Sequence, residues 1–145
     1  MNEITDEIKP IINIEKTFEI KITLSDEMFI TDPLIIKNIL FNLISNAAKY
    51  TKSNGLIQLT VEDDLNYIHI GVHDNGIGIP EADQKHLFDR FFRAVNAANI
   101  EGTGLGLFIV KKYTELLNGE ISFKSEESHG TTFEIILPKN HSEQK

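Results

Sequence analysis

The 145-residue sequence contains no cysteine, no tryptophan and only two arginines, set against twelve lysines. Without cysteine there is no disulfide framework, no thiolate zinc site and no thiol nucleophile. No apolar run approaches the ~18 residues of a membrane-spanning helix, and the N-terminal residues lack a signal-peptide pattern. Positive charge is scarce, since 14 Lys+Arg against 22 Asp+Glu leave a formal net charge of −8 at pH 7. Such a chain offers no generalised basic surface for a nucleic-acid backbone, which removes DNA and RNA as expected partners. A cytoplasmic domain without direct membrane contact is the expectation. With 41% hydrophobic residues the length suits one sizeable core and is too short for a two-domain enzyme. The little arginine present is concentrated: Arg90 and Arg93 both fall in Phe-Asp-Arg-Phe-Phe-Arg at 88–93. Guanidinium groups suit bidentate phosphate contacts.

Patterning predicts a single domain. Isoleucines at 4, 8, 11 and 12 have helical spacing, with Pro10 limiting the run, so residues 1–16 read as a helical lead-in. Residues 17–25 alternate, with Phe18, Ile20, Ile22 and Leu24 on one face, as in a half-buried strand, and 28–31 read as its short partner. Asp32-Pro33 supplies a cap and a first-turn proline for a helix over 33–51. Strands follow at 56–62 and 67–73, then a loop at 74–80 and a short helix from Pro80-Glu81 to about Phe88. Residues 94–103 are small and polar without periodicity, as in a mobile loop. A helix over 104–117 stopped by Asn118-Gly119, strands at 120–125 and 131–137, and a polar tail over 139–145 complete the chain. The fold class is α+β: a two-layer α/β sandwich whose mixed, mainly antiparallel sheet carries helices on one face.

Three features carry chemistry. On the helix at 33–51, Ile36, Ile39, Leu40, Leu43, Ile44 and Ala47 form the core stripe, while Asn42, Asn46 and Lys49 gather on another side. Mid-helix asparagine is a mediocre helix former, so two of them one turn apart fit the display of amide oxygens to a ligand; a solvated face fits equally well. In the second strand pair, Asp74 continues the apolar row of Ile68, Ile70 and Val72, where a carboxylate needs partners. Asn75-Gly76-Ile77-Gly78 after it can approach a flat ligand closely, although an Asx turn accounts for Asp-Asn-Gly on its own. Thr131 likewise sits on the inward row of Phe133, Ile135 and Leu137, so two polar row ends could floor one pocket. Third, Gly102-Thr103-Gly104-Leu105-Gly106 opens a helix, where free N–H groups and the dipole attract anions. It is neither a dinucleotide fingerprint nor a P-loop. The five histidines compose no metal triad, and solvent-exposed positions suit them best.

Taken in order, the Asn-x-x-x-Asn-Ala-x-Lys-Tyr-Thr helix, Asp-x-Gly-x-Gly, Phe-Asp-Arg-Phe-Phe-Arg, Gly-Thr-Gly-Leu-Gly-Leu and Gly-Thr-Thr-Phe resemble one family. The chain is similar, from about Phe18 to Pro138, to the catalytic and ATP-binding domain of bacterial sensor histidine kinases, within the gyrase, heat-shock chaperone, histidine kinase and MutL superfamily. The resemblance implies the Bergerat-type sandwich, with ATP between the long helix and a lid at 94–103. It implies Asn46 as magnesium ligand with Asn42 beside it, Lys49 on phosphate, Tyr50 near adenine and Asp74 accepting from the adenine amine. Gly76, Gly78 and Ile79 would lie at the base, with Thr131 reaching it through water. Arg93 would face the terminal phosphate, flanked by Gly102, Thr103, Gly104, Leu105 and Gly106. Asn42, Lys49 and Arg93 are thus the catalytic candidates, and ATP and Mg²⁺ the cofactors.

Ser128 departs from the glycine common in the family's last box. No histidine here has the family's His-Glu or His-Asp phosphoacceptor context. The implied partners are therefore a histidine-containing dimerisation domain of a longer kinase, membrane-anchored or not, and a downstream response-regulator receiver domain. The ATPase branch's water-activating glutamate is replaced by Asn42. Two other readings stand beside the histidine kinase: a free-standing serine/threonine kinase of the anti-sigma-factor type, and a nucleotide-sensing module without catalysis.

Overall fold

A computed structural model describes residues 17–25, 32–51, 55–92 and 105–139. The lead-in at 1–16, the partner strand at 28–31, and Arg93, Gly102, Thr103 and Gly104 with the rest of the lid lie outside the described residues.

Five strands form one sheet in the order β1-β2-β3-β5-β4: β1 Thr17–Thr23, β2 Leu56–Asp63, β3 Tyr67–Asp74, β4 Glu120–Glu126 and β5 Gly130–Pro138. β1 runs parallel to β2, and the other three pairs are antiparallel, which is the mixed, mainly antiparallel sheet expected. A parallel neighbour requires a crossover, and helix α1, Pro33–Tyr50, supplies it. Helix α2 spans Glu81–Gln84 and helix α3 spans Gly106–Leu116.

Asp32 caps α1 as its sequence promises: its Oδ1 accepts from Leu34 N at 2.9 Å, and Pro33 occupies the first turn, where its missing N–H costs nothing. The predicted stripe is buried in full, joined by Ala48, against Ile57, Leu59, Val61, Ile68, Ile70, Val72, Phe133, Ile135 and Leu137 of the sheet. α1 packs over β2 and β3 and against α3, while α3 also packs on β4. The two long helices thus pack on one sheet face.

Three expectations need correction. β1 is not half-buried: it lies at the sheet edge outside this helix cover, and Ile20, Ile22 and Leu24 are 39–45% exposed. The helix after Pro80 does not reach Phe88. Beyond Gln84 the backbone closes successive three-residue turns, His86 N to Asp83 O, Leu87 N to Gln84 O, Asp89 N to His86 O and Phe92 N to Asp89 O. Packing wins over propensity there, because Leu87 enters the core and Phe88 stacks edge-on against Phe123 and Phe133. The tail also begins later than residue 139, since Lys139 is buried and its N–H donates to Asn66 O at 2.9 Å.

Candidate functional site

The register brings the inward row ends together. Across the sheet, Asp74 pairs with Thr131, and Thr131 pairs with Ser125, at one end of β3, β5 and β4. Asp74 and Thr131 are both buried. Asp74 Oδ1 accepts from Gly76 N at 2.9 Å, so the Asx turn is present, and it coexists with an inward carboxylate. Burial pushes the Asp74 carboxyl above the usual carboxylate range, against the lowering effect of the Gly76 and Thr131 backbone hydrogen bonds and of nearby His73. A carboxyl that burial pushes up in this way is an invitation to a hydrogen-bond donor.

The loop after Asp74 is pinned to the end of α1. Ile77 N donates to Tyr50 O at 3.1 Å, and a Cβ at Gly76 would fall onto that same carbonyl. Gly78, with φ of 67°, lies against the Glu126 backbone, a place and a conformation that exclude side chains. Ser128, the departure noted above, has φ of 71°, which is why glycine suits this position; its N–H donates to Ile77 O at 2.7 Å. Gly130, with φ of 126°, approaches the Asp74 carbonyl so closely that no Cβ could fit.

A second group of predicted residues meets along α1. Asn42 Nδ2 donates to Asn38 O at 2.8 Å, which holds its amide in place on the helix. A Cβ placed on Gly106, the first residue of α3, would lie 3.4 Å from Asn42 Oδ1 and 3.7 Å from Asn46 Oδ1. Both asparagines therefore face the start of α3. Lys49 is exposed in the last turn of α1, where its charge also complements the helix dipole. Leu105 precedes α3 and its carbonyl accepts from Ile109 N at 2.9 Å. From Asn42 to Tyr50 the helix rises about 12 Å, so the two groups occupy successive stretches of one helix side.

Ser125 and Gln84 escaped the sequence reading. Ile79 N donates to Ser125 Oγ at 2.8 Å, Ser125 Oγ lies 2.8 Å from Thr131 Oγ1, and Gln84 Nε2 donates to both Ile79 O and Ser125 O. The rule that found Asp74 and Thr131 also finds Ser125, which ends the inward row of Ile121 and Phe123 on β4. Gln84 gave no signal, since its role depends on the helix ending beneath it. Thr51, after α1, is buried with an Oγ1 that has no hydrogen-bond partner among the described residues, the kind of group a ligand or water satisfies. His69 and His73 line a separate depression of about 290 Å³ on the opposite sheet face around Gly71. No cluster of three or more His, Asp or Glu side chains suited to a metal occurs among the described residues.

Residues 31–141 match the family described as histidine kinase-, DNA gyrase B-, and HSP90-like ATPases. The chain belongs to that family. This ATPase-family domain is 40% identical over 109 residues to the sensor histidine kinase RcsC of Escherichia coli, covering 74% of the chain and 11% of RcsC. It is 37% identical over 110 residues to the sensor protein CiaH of Streptococcus pneumoniae, covering 74% of the chain and 25% of CiaH. The domain thus spans a quarter or less of these relatives' lengths. Among solved structures it is similar to the mycobacterial sensor histidine kinase MprB, with a TM-score of 0.81 and 27% identity over 95% of each chain. It is also similar to the catalytic domain of histidine kinase ThkA, with a TM-score of 0.76 and 28% identity over 95% of this chain and 90% of that one. The α+β sandwich is the architecture of these domains, and an ATP-binding role follows from the family. No helix among the described residues is long and apolar enough to cross a membrane.

Proposed function

We propose that this domain binds Mg-ATP and positions its γ-phosphoryl group for in-line transfer to a histidine nitrogen on a separate dimerisation domain of the same kinase, in the cytoplasm. The observation that carries this reading is the meeting of Asn42 and Asn46 with Gly106 at the start of α3. A triphosphate between them lies against the positive end of α3 and the cation of Lys49. The base reaches the Asp74 and Thr131 floor beyond Tyr50, where the Asp74 carboxylate accepts from the adenine amine.

The donor set fits magnesium held together with nucleotide. Asn46 and Asn42 offer neutral amide oxygens, which suit a hard cation that keeps phosphate oxygens and waters as its other ligands. Bound Mg²⁺ would supply charge neutralisation on the phosphates. The chain's own residues orient the nucleotide along α1 and present Asp74 and Thr131 to the base. In the transfer a histidine N–P bond forms as the bond from Pγ to the bridging oxygen breaks, and ADP leaves. An amide at Asn42 cannot serve as general base for water, which favours transfer over hydrolysis. Arg93 and the glycines at 102 and 104 belong to this proposal as phosphate-side groups. A response-regulator receiver domain is the expected acceptor downstream.

The test is calorimetric titration with ATP, with and without Mg²⁺, followed by transfer from labelled ATP to a supplied histidine-bearing domain. Magnesium-dependent binding, its loss in Asn46→Ala with the fold intact, and acid-labile label on the acceptor are the expected results. A folded chain that binds no ATP overturns the proposal.

A further inference from the structure

The two long helices cover one face of the sheet, and the other face carries the depression around Gly71. Gly71 stands in mid-strand, where a Cβ would come within 2.7 Å of Thr60 Oγ1, so glycine keeps the floor bare. The register sets Thr60 on one side of it and Glu134 on the other. Glu134 and Glu62, the next outward residue of β2, are the carboxylates of the lining, and no lysine or arginine joins them there. Neither has an ion pair or hydrogen bond among the described residues. Lys21 and Lys124 stand one strand further out on either side, opposite Thr60 and Thr132.

The neutral polar groups around Gly71 have their donors spent elsewhere. Gln58 Nε2 donates to Glu19 Oε1 at 2.8 Å, which leaves the amide oxygen as an acceptor. His69 Nε2 lies 2.8 Å from Asp64 Oδ2. That hydrogen bond first, and the Asn66 and Tyr67 N–H groups next, hold the Asp64 carboxyl below its usual range. An ionised carboxylate only accepts, so neutral His69 carries its proton on Nε2 and keeps Nδ1 as a lone pair. His73 and Thr132 are spent on each other at 2.7 Å. Negative charge and acceptor lone pairs therefore dominate the depression, which complements a cation with several N–H groups.

The Cα atoms of Glu62 and Glu134 are about 12 Å apart, two strand spacings across and one like-facing step along. A linear chain with an ammonium at each end spans that separation, with its methylenes over the bare Gly71 backbone and half-buried Ile136. We propose that this open sheet face binds a linear polyamine of the spermidine type, its terminal ammonium groups on Glu62 and Glu134, with Gln58 and His69 accepting from the N–H groups. The site lies on the face opposite Asp74 and Thr131, so the proposal stands apart from the nucleotide reading.

The experiment titrates the nucleotide-free full chain with spermidine by calorimetry at pH 7.5 and physiological ionic strength, where diffuse attraction to an acidic protein is screened. One bound spermidine is expected, with butylamine, a single ammonium, at least tenfold weaker. Glu62→Gln with Glu134→Gln should lose about tenfold, the scale of two exposed ion pairs. Glu81→Gln with Glu115→Gln, which removes the same charge elsewhere on the surface, should change affinity less than twofold. Equal losses in the two double variants would reduce the binding to overall charge and overturn the proposal, as would a wild type that binds no spermidine. A tetralysine peptide that binds the same face more tightly than spermidine would make the occupant a basic protein segment and overturn the polyamine assignment. Amide shifts of the isotope-labelled wild type give a measurement free of variants. Shifts centred on His69, Gly71 and Glu134 are expected, and shifts scattered over the acidic surface overturn the proposal.

Discussion

Asp74 stands directly opposite Thr131 across the β3–β5 pair, and each is only 6% exposed. The pairing places a carboxylate where burial disfavours its charge, so the site holds a group better suited to a ligand than to the fold. Because the folded carboxyl titrates above the ordinary value of 3.8, the native chain binds more protons than the unfolded chain between the two values. Stability contributed by this group is therefore present below pH 3.8 and lost as pH rises through the folded value.

Asp74→Asn should accordingly make the nucleotide-free protein more heat-stable at pH 7. The amide oxygen still accepts from Gly76 N, and the buried charge is gone. The advantage over wild type should shrink as pH falls toward 3.8, and ATP binding should be lost. Thermal melts across that pH range, with a titration at pH 7, check it; a variant less stable than wild type at pH 7 contradicts the account.

Gly130→Ala should damage the same place from the backbone side. Its φ of 126° is closed to alanine without strain of about 1–3 kcal/mol, and the new Cβ would fall onto the Asp74 carbonyl. A clear loss in denaturant midpoint together with weakened ATP binding is expected. Unchanged values in both would mean that the β3–β5 approach is looser than described.

Most of the sheet and both long helices were legible because their signals are local. Asp32-Pro33 opens α1, its stripe closes the core, and Asn118, with φ of 60°, ends α3 as an asparagine can. The site's inward row ends were legible for the same reason, since alternation alone turns Asp74 and Thr131 toward the core. What was not legible depends on neighbours brought from afar. Ile20 and Ile22 alternate as a buried strand would, yet their exposure is decided by which strands the helices cover. Gln84 reads as an ordinary helix residue, and only the arrival of Ser125, far along the chain, gives it a role. Lys139 reads as the start of a polar tail until Asp63 is placed beside it.

Gly106→Ala separates folding from binding in the phosphate half of the site. The added methyl would meet Asn42 Oδ1 at 3.4 Å and both polar atoms of the Asn46 amide at 3.7–3.8 Å, close to ordinary contacts that the fold tolerates. Replacing glycine in a helix favours folding by up to ~1 kcal/mol, so stability should hold or rise slightly. The methyl nevertheless fills space in front of two amides proposed to serve Mg-ATP. Affinity for Mg-ATP is expected to fall about tenfold or more while melting is unchanged. Wild-type affinity in this variant would remove the Asn42 and Asn46 face from the site.

The far end of the sheet carries an ion pair whose pH response runs opposite to that of Asp74. Lys139 Nζ lies 2.7 Å from Asp63 Oδ2, with side chains 5% and 9% exposed, and Ser25 binds the same carboxylate through its N–H and its hydroxyl. The Lys139 hydrogen bond first, and Ser25 next, hold the Asp63 pKa down at about 2 instead of 3.8. A lowered folded value contributes stability that is present above pH 3.8 and lost as pH falls from there to about 2. The pair joins the ends of β2 and β5 and, through Ser25, the chain just past edge strand β1, so its loss should loosen that edge first. Asp63→Asn leaves the Lys139 ammonium buried without its counter-charge and should lower the melting temperature at pH 7. It should also flatten the fall in stability between pH 4 and 2 relative to wild type, because the titrating group is gone. Scanning calorimetry of both proteins from pH 2 to 7 measures the two effects together; parallel curves across the acid range would show that Asp63 does not drive that part of the transition.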